Sequence, residues 1–309
     1  MTTLTTHERT SPQTLTWTWR GYQVRYQMSG HDLRSTEGDR RSAIVLIHGF
    51  GASSDHWRKN LPILGAHHRV FAIDLIGFGF SDKPDPRTFE YTFETWGQQV
   101  LDFCEQVVSS PAYFIGNSIG CIVAMQAAVL SPEQCLGTAL LDCSLRLLHE
   151  RKRQEIPWYQ RVSAPLFQRL LSYRPLGHFF FNRIANPKAI ASFLTQAYGD
   201  AAAITDELVE AIYRPALEPG AADVFLTFIQ YSQGPLAEDL LPQLQCPALF
   251  LWGEADPWEP IEMGRSLAQY DAVEDFIPLP GVGHCPQDEA PDQVNALLLK
   301  WCASHDTAD

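Results

Sequence analysis

The stretch AYFIGNSIG at 112–120 constrains this chain more than any other. Tyr113, Phe114 and Ile115 form an apolar run that reads as a short buried strand. The small and apolar residues from about Ile119 to Leu130 read as a helix. Between them Gly116, Asn117, Ser118, Ile119 and Gly120 spell G-x-S-x-G, and strand, G-x-S-x-G, helix is the context that gives the motif a mechanical meaning. The turn is so tight that the residues two before and two after the serine must lack a side chain, and Gly116 and Gly120 meet that need. The hydroxyl is left at the tip of the turn, beyond the sheet edge, with the free N–H groups of the new helix aimed at it. The alternative is an ordinary strand–helix joint with a chance serine, because a bare G-x-S-x-G also recurs by accident.

The rest of the chain decides between these. Residues 15–29 alternate (Leu15, Trp17, Trp19, then Val24, Tyr26, Met28) about Arg20-Gly21, a β-hairpin pattern, and residues 30–42 read as a polar surface loop. Ala43–Ile47 is a fully apolar strand followed by the Gly-rich loop HGFGASSDHW at 48–57. Arg69–Asp74 is the next strand, then comes a helix over 94–109 with Val100, Phe103, Cys104 and Val107 on one stripe, then the serine motif, then a strand at Gly137–Asp142. From Ser144 to about Leu236 only helical patterns occur. Strand Pro247–Gly253, helix 260–268, strand 273–280 and helix 292–303 restore the alternation. Such alternation predicts a largely parallel sheet covered on both faces, with ligands beyond the carboxyl ends of its strands. The loops at 48, 74, 118, 142, 256 and 284 all follow strands, so they share that edge. The expected organisation is a flexible tail at 1–14, an α/β core from 15–143 and 237–309, and a helical lid at 144–236 over the site.

Composition removes several function classes. The net charge of −13 and pI near 5.2 argue against a general nucleic-acid-binding surface. The seven cysteines are odd in number, include no CxxC pair and sit mostly in apolar stretches, so they read as small core residues of a reducing compartment rather than a disulfide framework or zinc site. No apolar run approaches the roughly 18–20 residues of a membrane span. The opening MTTLTTHERTSPQTL lacks the basic and apolar regions of a secretory signal, and the expected location is the cytoplasm.

A serine hydroxyl is a weak nucleophile and needs an adjacent base. His284, in GVGHCP after the last strand, is the candidate; His48 and His56 lie near the site, and His48 is expected to shape its loop. The base needs a carboxylate to hold its tautomer. Asp256, in LWGEADPWEP, completes the chain order Ser118, Asp256, His284, the α/β-hydrolase order. Asp142, ending the preceding strand, is the competitor; Glu254 is expected to face solvent, and Asp74, Asp82 and Asp55 read as loop-capping residues. The oxyanion of a tetrahedral intermediate needs preorganised donors. The N–H of Ile119 supplies one, and the N–H of Phe50, after His48-Gly49, supplies the other while its ring lines the pocket. The HGFGAS loop could instead cradle phosphate, but it lacks both the GK[ST] of a P-loop and the GxGxxG spacing of a dinucleotide site. A serine nucleophile rather than an aspartate excludes dehalogenase or epoxide-hydrolase chemistry through an ester to the enzyme. The predicted reaction is acyl transfer to water, with no cofactor and no metal required of the protein.

Residues 144–184 are unusual for so acidic a chain. They carry Arg146, Arg151, Lys152, Arg153, Arg161, Arg169, Arg174 and Arg183 against Glu150 and Glu155, together with Trp158, Tyr159, Phe167, Tyr173 and Phe179-Phe180-Phe181. Val162, Leu166 and Leu170 share a helical face, with Phe167 and Leu171 beside it. Such a lid suits the surface of an anionic membrane and a greasy substrate; an ordinary solvated lid with its apolar face on the core has the same pattern.

Several segments together carry a family resemblance: HGFGASSDHW (48–57), YTFETWG (91–97), GNSIG (116–120), GAADVFL (220–226), EDLLP (238–242), WGEADPWEP (252–260) and GVGHCPQDEAP (281–291). The chain resembles the chlorophyll dephytylases, α/β-hydrolases of photosynthetic organisms related to pheophytinases, over roughly residues 20–303. HGFG and GNSIG are shared with many hydrolases, whereas DPWEP and GHCPQDEAP are more specific to this group. The resemblance implies hydrolysis of the phytyl ester of chlorophyll or pheophytin, with Ser118, Asp256 and His284 as the triad. Plant members carry a chloroplast transit peptide that this chain lacks, so the implied setting is a cyanobacterial cytoplasm, at thylakoid membranes. Cys121 stands where many relatives have Gly after GNSIG. Trp258 and Cys285 flank Asp256 and His284 and either line the pocket, Trp258 then touching substrate, or simply pack. The competing functions are a generalist carboxylesterase or a C–C bond hydrolase on the same triad, and a non-catalytic ligand receptor on a hydrolase fold.

Overall fold

The structure, a computed structural model, describes residues 11–30, 41–152 and 167–306. Its centre is β3 (Ala43–Ile47), every residue of which is buried. Side chains of a strand alternate between faces. Val45 and Ile47 enter one cluster with Trp96, Val100, Phe103 and Ile122, while Ile44 and Leu46 enter a second with Leu61, Leu64, Leu298 and Trp301. A continuous apolar run is therefore what a strand covered on both faces requires.

Eight strands form one sheet in the order β1-β2-β4-β3-β5-β6-β7-β8. The hairpin of β1 (Gln13–Trp19) and β2 (Tyr22–Ser29) turns at Arg20-Gly21, both at positive φ, and β2 pairs antiparallel with β4 (Arg69–Ile73). β1 starts two residues inside the stretch expected to be a tail. From β4 onward, β3, β5 (Ala112–Asn117), β6 (Cys135–Leu141), β7 (Ala248–Gly253) and β8 (Val273–Leu279) are parallel. Parallel neighbours need crossovers; helix Phe93–Phe103 lies in the connection from β4 to β5 and Ile119–Leu130 in that from β5 to β6, while Pro291–His305 follows the last strand and covers the sheet through Leu298 and Trp301. The Phe93 helix is capped by the Thr92 hydroxyl, which accepts from the Thr95 N–H at 3.1 Å, with Glu94 in its first turn.

The expected helix over 94–109 is α-helical only to Phe103 and continues as a π turn over Cys104–Val108. All seven cysteines are buried. Among the described residues no helix is long and apolar enough to cross a membrane.

Between β6 and β7 the described residues form helices joined by loops and no strand, the helices including Arg174–Ile184, Pro187–Ala197, Asp206–Ala216 and Ala221–Gln230. Ile190, Leu194, Leu208 and Val209 make a separate small core there, closed by Tyr198 and Cys285. Arg153, Trp158, Tyr159, Arg161, Val162 and Leu166 lie outside the described residues. Several of the remaining cations are committed within the molecule. Arg146 donates to the Pro235 carbonyl and stacks its guanidinium on Phe93, Arg151 pairs with Asp239, Lys152 donates to the Leu145 carbonyl, and Arg174 pairs with Asp223. The basic segment is thus partly neutralised by its own fold. Its apolar members are not all covered: Phe167, Leu170, Tyr173 and Phe179 are exposed.

Candidate active site

Ser118 sits between β5 and the Ile119–Leu130 helix at φ +57°, ψ −120°, a conformation rare for a residue with a side chain. The flanking glycines have a steric cause. A Cβ on Gly116 would lie 2.3 Å from the Gly120 carbonyl oxygen, and one on Gly120 would lie 2.4 Å from the Ile47 carbonyl oxygen. Gly116→Ala or Gly120→Ala is expected to lower the thermal unfolding midpoint by roughly 10 °C or more, because backbone must move to admit the methyl. A melting curve by circular dichroism reads this directly.

The β3 loop lies against the serine. A Cβ on Gly49 would meet Ser118 Cβ at 3.2 Å. His48 is wholly buried and shapes this loop: the Leu75 N–H donates to its Nε2 at 3.1 Å, so Nδ1 carries the proton and donates to the Gly49 carbonyl at 2.7 Å. Burial pushes its basicity down, so it remains neutral. Asp74 caps the same region, its carboxylate accepting from the N–H groups of Ser54 and Phe80. Among the described residues, no backbone or side-chain acceptor is hydrogen-bonded to the N–H of Phe50 or of Ile119. Both are free donors on the serine's loop and helix.

His284 Nδ1 donates to Asp256 Oδ2 at 2.7 Å, which leaves Nε2 as the basic nitrogen. Asp256 is set by its own loop: Oδ1 accepts from the N–H groups of Trp258 (2.8 Å) and Glu259 (3.1 Å). The histidine backbone is tied on two sides. Its N–H donates to the Ala197 carbonyl at 2.8 Å, and its carbonyl accepts from Asn117 Nδ2 at 3.0 Å, so the residue before the serine holds the histidine's loop. Ser118 and His284 line one cavity but are not hydrogen-bonded to each other. Such bonds commonly tighten only in the substrate complex. Asp142 contacts no atom of the His284 ring by hydrogen bonding; its Oδ1 accepts from the Gly253 N–H at 2.9 Å. Glu254 is exposed.

The cavity is about 520 Å³. Its wall is mostly aliphatic and aromatic, including Phe50, Phe181, Phe193, Leu194 and Phe225, with His56, Lys83, Asn117 and Glu259 as polar exceptions beside Ser118, His284 and Cys285. Phe50 is stacked on Phe225 and Phe228, at 5.2 and 4.7 Å between centroids, so the helix Ala221–Gln230 braces the loop that presents its N–H. Trp258 is 42% exposed and its ring lies 5.0 Å from that of His284, at the cavity rim. Cys285 also lines the cavity, with burial raising its thiol well above the usual range, so it is inert there. His56 is neutral: burial first of all lowers it to about 4, and its Nε2 meets the Tyr198 hydroxyl at 3.1 Å.

The residue profile of the alpha/beta hydrolase family matches positions 44–297 of the chain. The chain belongs to that family. This hydrolase is 26% identical to the chloroplastic pheophytinase of Arabidopsis thaliana, over 90% of its own length and 64% of the plant protein's. It is 27% identical to the uncharacterized hydrolase YugF of Bacillus subtilis, over 84% of this chain and 90% of that one. A thermophilic esterase from Thermogutta terrifontis shares the fold with a TM-score of 0.72 at 22% identity, covering 96% of this chain and all of the other.

Sequence reasoning passed over Glu259, although it lies in the DPWEP segment. Its carboxylate accepts from the Ser144 hydroxyl (3.0 Å) and the Leu145 N–H (2.9 Å), tying the Asp256 loop to the start of the helical insertion. Burial, opposed by the His284 charge, raises it to about 7 from an ordinary 4.5. The folded chain therefore holds this proton more tightly than the unfolded one. Its contribution to stability is complete below about pH 4.5 and is lost as pH rises toward 7, by about 3 kcal/mol in all. Urea unfolding at pH 5 and pH 8 should show the decline, and Glu259→Gln should flatten it.

Proposed function

We propose that this hydrolase cleaves a carboxylic ester of a long apolar alcohol through an acyl-enzyme on Ser118, and that the ester is the phytyl ester of chlorophyll or pheophytin. The observation that carries the reading is a mostly apolar cavity of about 520 Å³ lined by Ser118, His284 and Phe50, with the N–H groups of Phe50 and of Ile119, next to the serine, left free as donors. His284 Nε2 takes the Ser118 proton as Oγ attacks the carbonyl carbon, and Asp256 stabilises the imidazolium. The N–H groups of Phe50 and Ile119 receive the oxyanion, each donor contributing about 2.7–4 kcal/mol to the barrier reduction. His284 then protonates the leaving alkoxide, and phytol departs. Water attacks the acyl-enzyme with the same histidine as base. Magnesium, where present, belongs to the pigment. The likeness to pheophytinase and the DPWEP and GHCPQDEAP segments favour this substrate.

The helices between residues 144 and 236 act in this reading as the lid. The exposed Phe167, Leu170, Tyr173 and Phe179 suit contact with a pigment-bearing membrane, with the protein working from the cytoplasmic side of thylakoids. The test is incubation of wild type and Ser118→Ala with chlorophyll a and pheophytin a, with pigments separated afterwards. Chlorophyllide or pheophorbide from wild type alone is expected. Hydrolysis of short p-nitrophenyl esters without pigment turnover would favour a general carboxylesterase, and turnover of a ring-cleavage diketone would favour C–C hydrolysis.

A further inference from the structure

Asp142 follows β6 at φ +43°, with its N–H donating to the Leu251 carbonyl at 3.0 Å. Its carboxyl is wholly buried. Oδ1 accepts from the Gly253 N–H, but Oδ2 has no donor within reach and no access to solvent. The groups that face it are acids and thiols: Asp256 within hydrogen-bonding reach, Glu259 on the same loop, Cys121 on the helix after the serine and Cys285 beside the histidine. An ionised carboxylate with one orphan oxygen against a second carboxylate is a costly arrangement. One proton removes both faults, because it turns Oδ2 into a donor and Asp256 into its acceptor. Asp256 has lone pairs to spare, having used its oxygens on His284, Trp258 and Glu259.

We propose that Asp142 is a neutral carboxylic acid that donates its proton to the Asp256 carboxylate, and so holds that carboxylate in register with the His284 ring. Asp142 is then a positioning residue, and the proposal rests on the triad reading above. Burial, and after it the repulsion of Asp256, pushes the Asp142 carboxyl well above the ordinary range, in keeping with this state. The two acids that compete for the triad on sequence grounds thus have different tasks: Asp256 faces the imidazole as the anion and Asp142 supports it as the acid.

The test compares Asp142→Asn, Asp142→Ala and wild type. Asparagine keeps both bonds, its carbonyl accepting from Gly253 and its amide donating to Asp256, and it suits a positive φ. Asp142→Asn should retain at least about a third of kcat, whereas Asp142→Ala should lose about tenfold in kcat with KM little changed, the scale of one charge-assisted hydrogen bond. Equal kcat in the two variants overturns the proposal. A fall of about 10⁴ in Asp142→Asn would make Asp142 the triad acid itself, and also overturns it. A second readout needs neither substrate nor the fragile alanine variant: NMR titration of the His284 ring. Replacing a neutral acid by an amide should leave the midpoint within about 0.3 units, whereas removing an anion from beside the ring would lower it by about one unit or more. If wild type hydrolyses no ester, the functional reading fails while this titration still decides the state of Asp142.

Discussion

Ser118→Ala is expected to lower ester hydrolysis by about 10⁶-fold while leaving the thermal unfolding midpoint nearly unchanged. The size follows from losing the covalent route. Without Oγ, His284 has no hydroxyl to deprotonate, and only the Phe50 and Ile119 donors and the cavity wall remain to assist direct attack by water. The stability side follows from local geometry. Ser118 makes backbone bonds to Leu141, Cys121 and Ser144, and among the described residues no hydrogen bond uses its hydroxyl. The φ of +57° is as strained for alanine as for serine. Turnover rates on a p-nitrophenyl ester, with melting curves in parallel, separate the chemical loss from unfolding. A variant that melts like wild type and keeps more than about a hundredth of the rate is incompatible with a serine nucleophile at this position.

Asp256→Asn is expected to cost about 10⁴ in kcat with the fold intact. The carboxylate accepts from His284 Nδ1 at 2.7 Å and so forces the ring proton onto that nitrogen. An amide can present its NH₂ there instead, which moves the proton to Nε2, and the ring then has no free nitrogen to take the serine proton in the proposed mechanism. The two loop N–H groups that bind Oδ1 are still met by the asparagine carbonyl if it keeps that side, so the loop holds. Asp142 does not take over, because its Oδ1 is bound to the Gly253 N–H and it makes no bond to the ring. kcat and KM for Asp256→Asn and Asp256→Ala, measured beside Asp142→Asn, identify which acid serves the histidine. Full activity in Asp256→Asn would remove Asp256 from the site.

The strand–serine–helix turn was legible because sterics leave so little choice at Gly116 and Gly120. The same is true of the sheet: the apolar runs at 43–47, 112–117 and 248–253 admit burial on both faces and little else. Side-chain alternation and the Arg20-Gly21 turn revealed the hairpin, but its first strand begins at Gln13, where polar outward residues hide the pairing. What the sequence could not reveal depends on meetings between distant segments. The stacking of Phe50 on Phe225 and Phe228 needs the insertion folded back over the β3 loop. The tie from His284 to Ala197 joins the last loop to the middle of the insertion. Asp142 and Asp256 look like rivals along the chain, and only their burial side by side gives them separate environments. The excess of basic residues after 144 was misleading as a measure of surface charge, because Arg146, Arg151, Lys152 and Arg174 are bound by partners outside that segment.

The central claim is that the Ser118 hydroxyl is made nucleophilic by His284. A fluorophosphonate reports this without any choice of substrate, since it phosphonylates only an activated serine and leaves a mass that peptide mapping can place. One adduct per chain is expected, on the peptide holding Ser118, absent in Ser118→Ala and formed far more slowly in His284→Ala. A folded wild-type protein that takes up no label, or takes it up equally well without His284, would contradict the account.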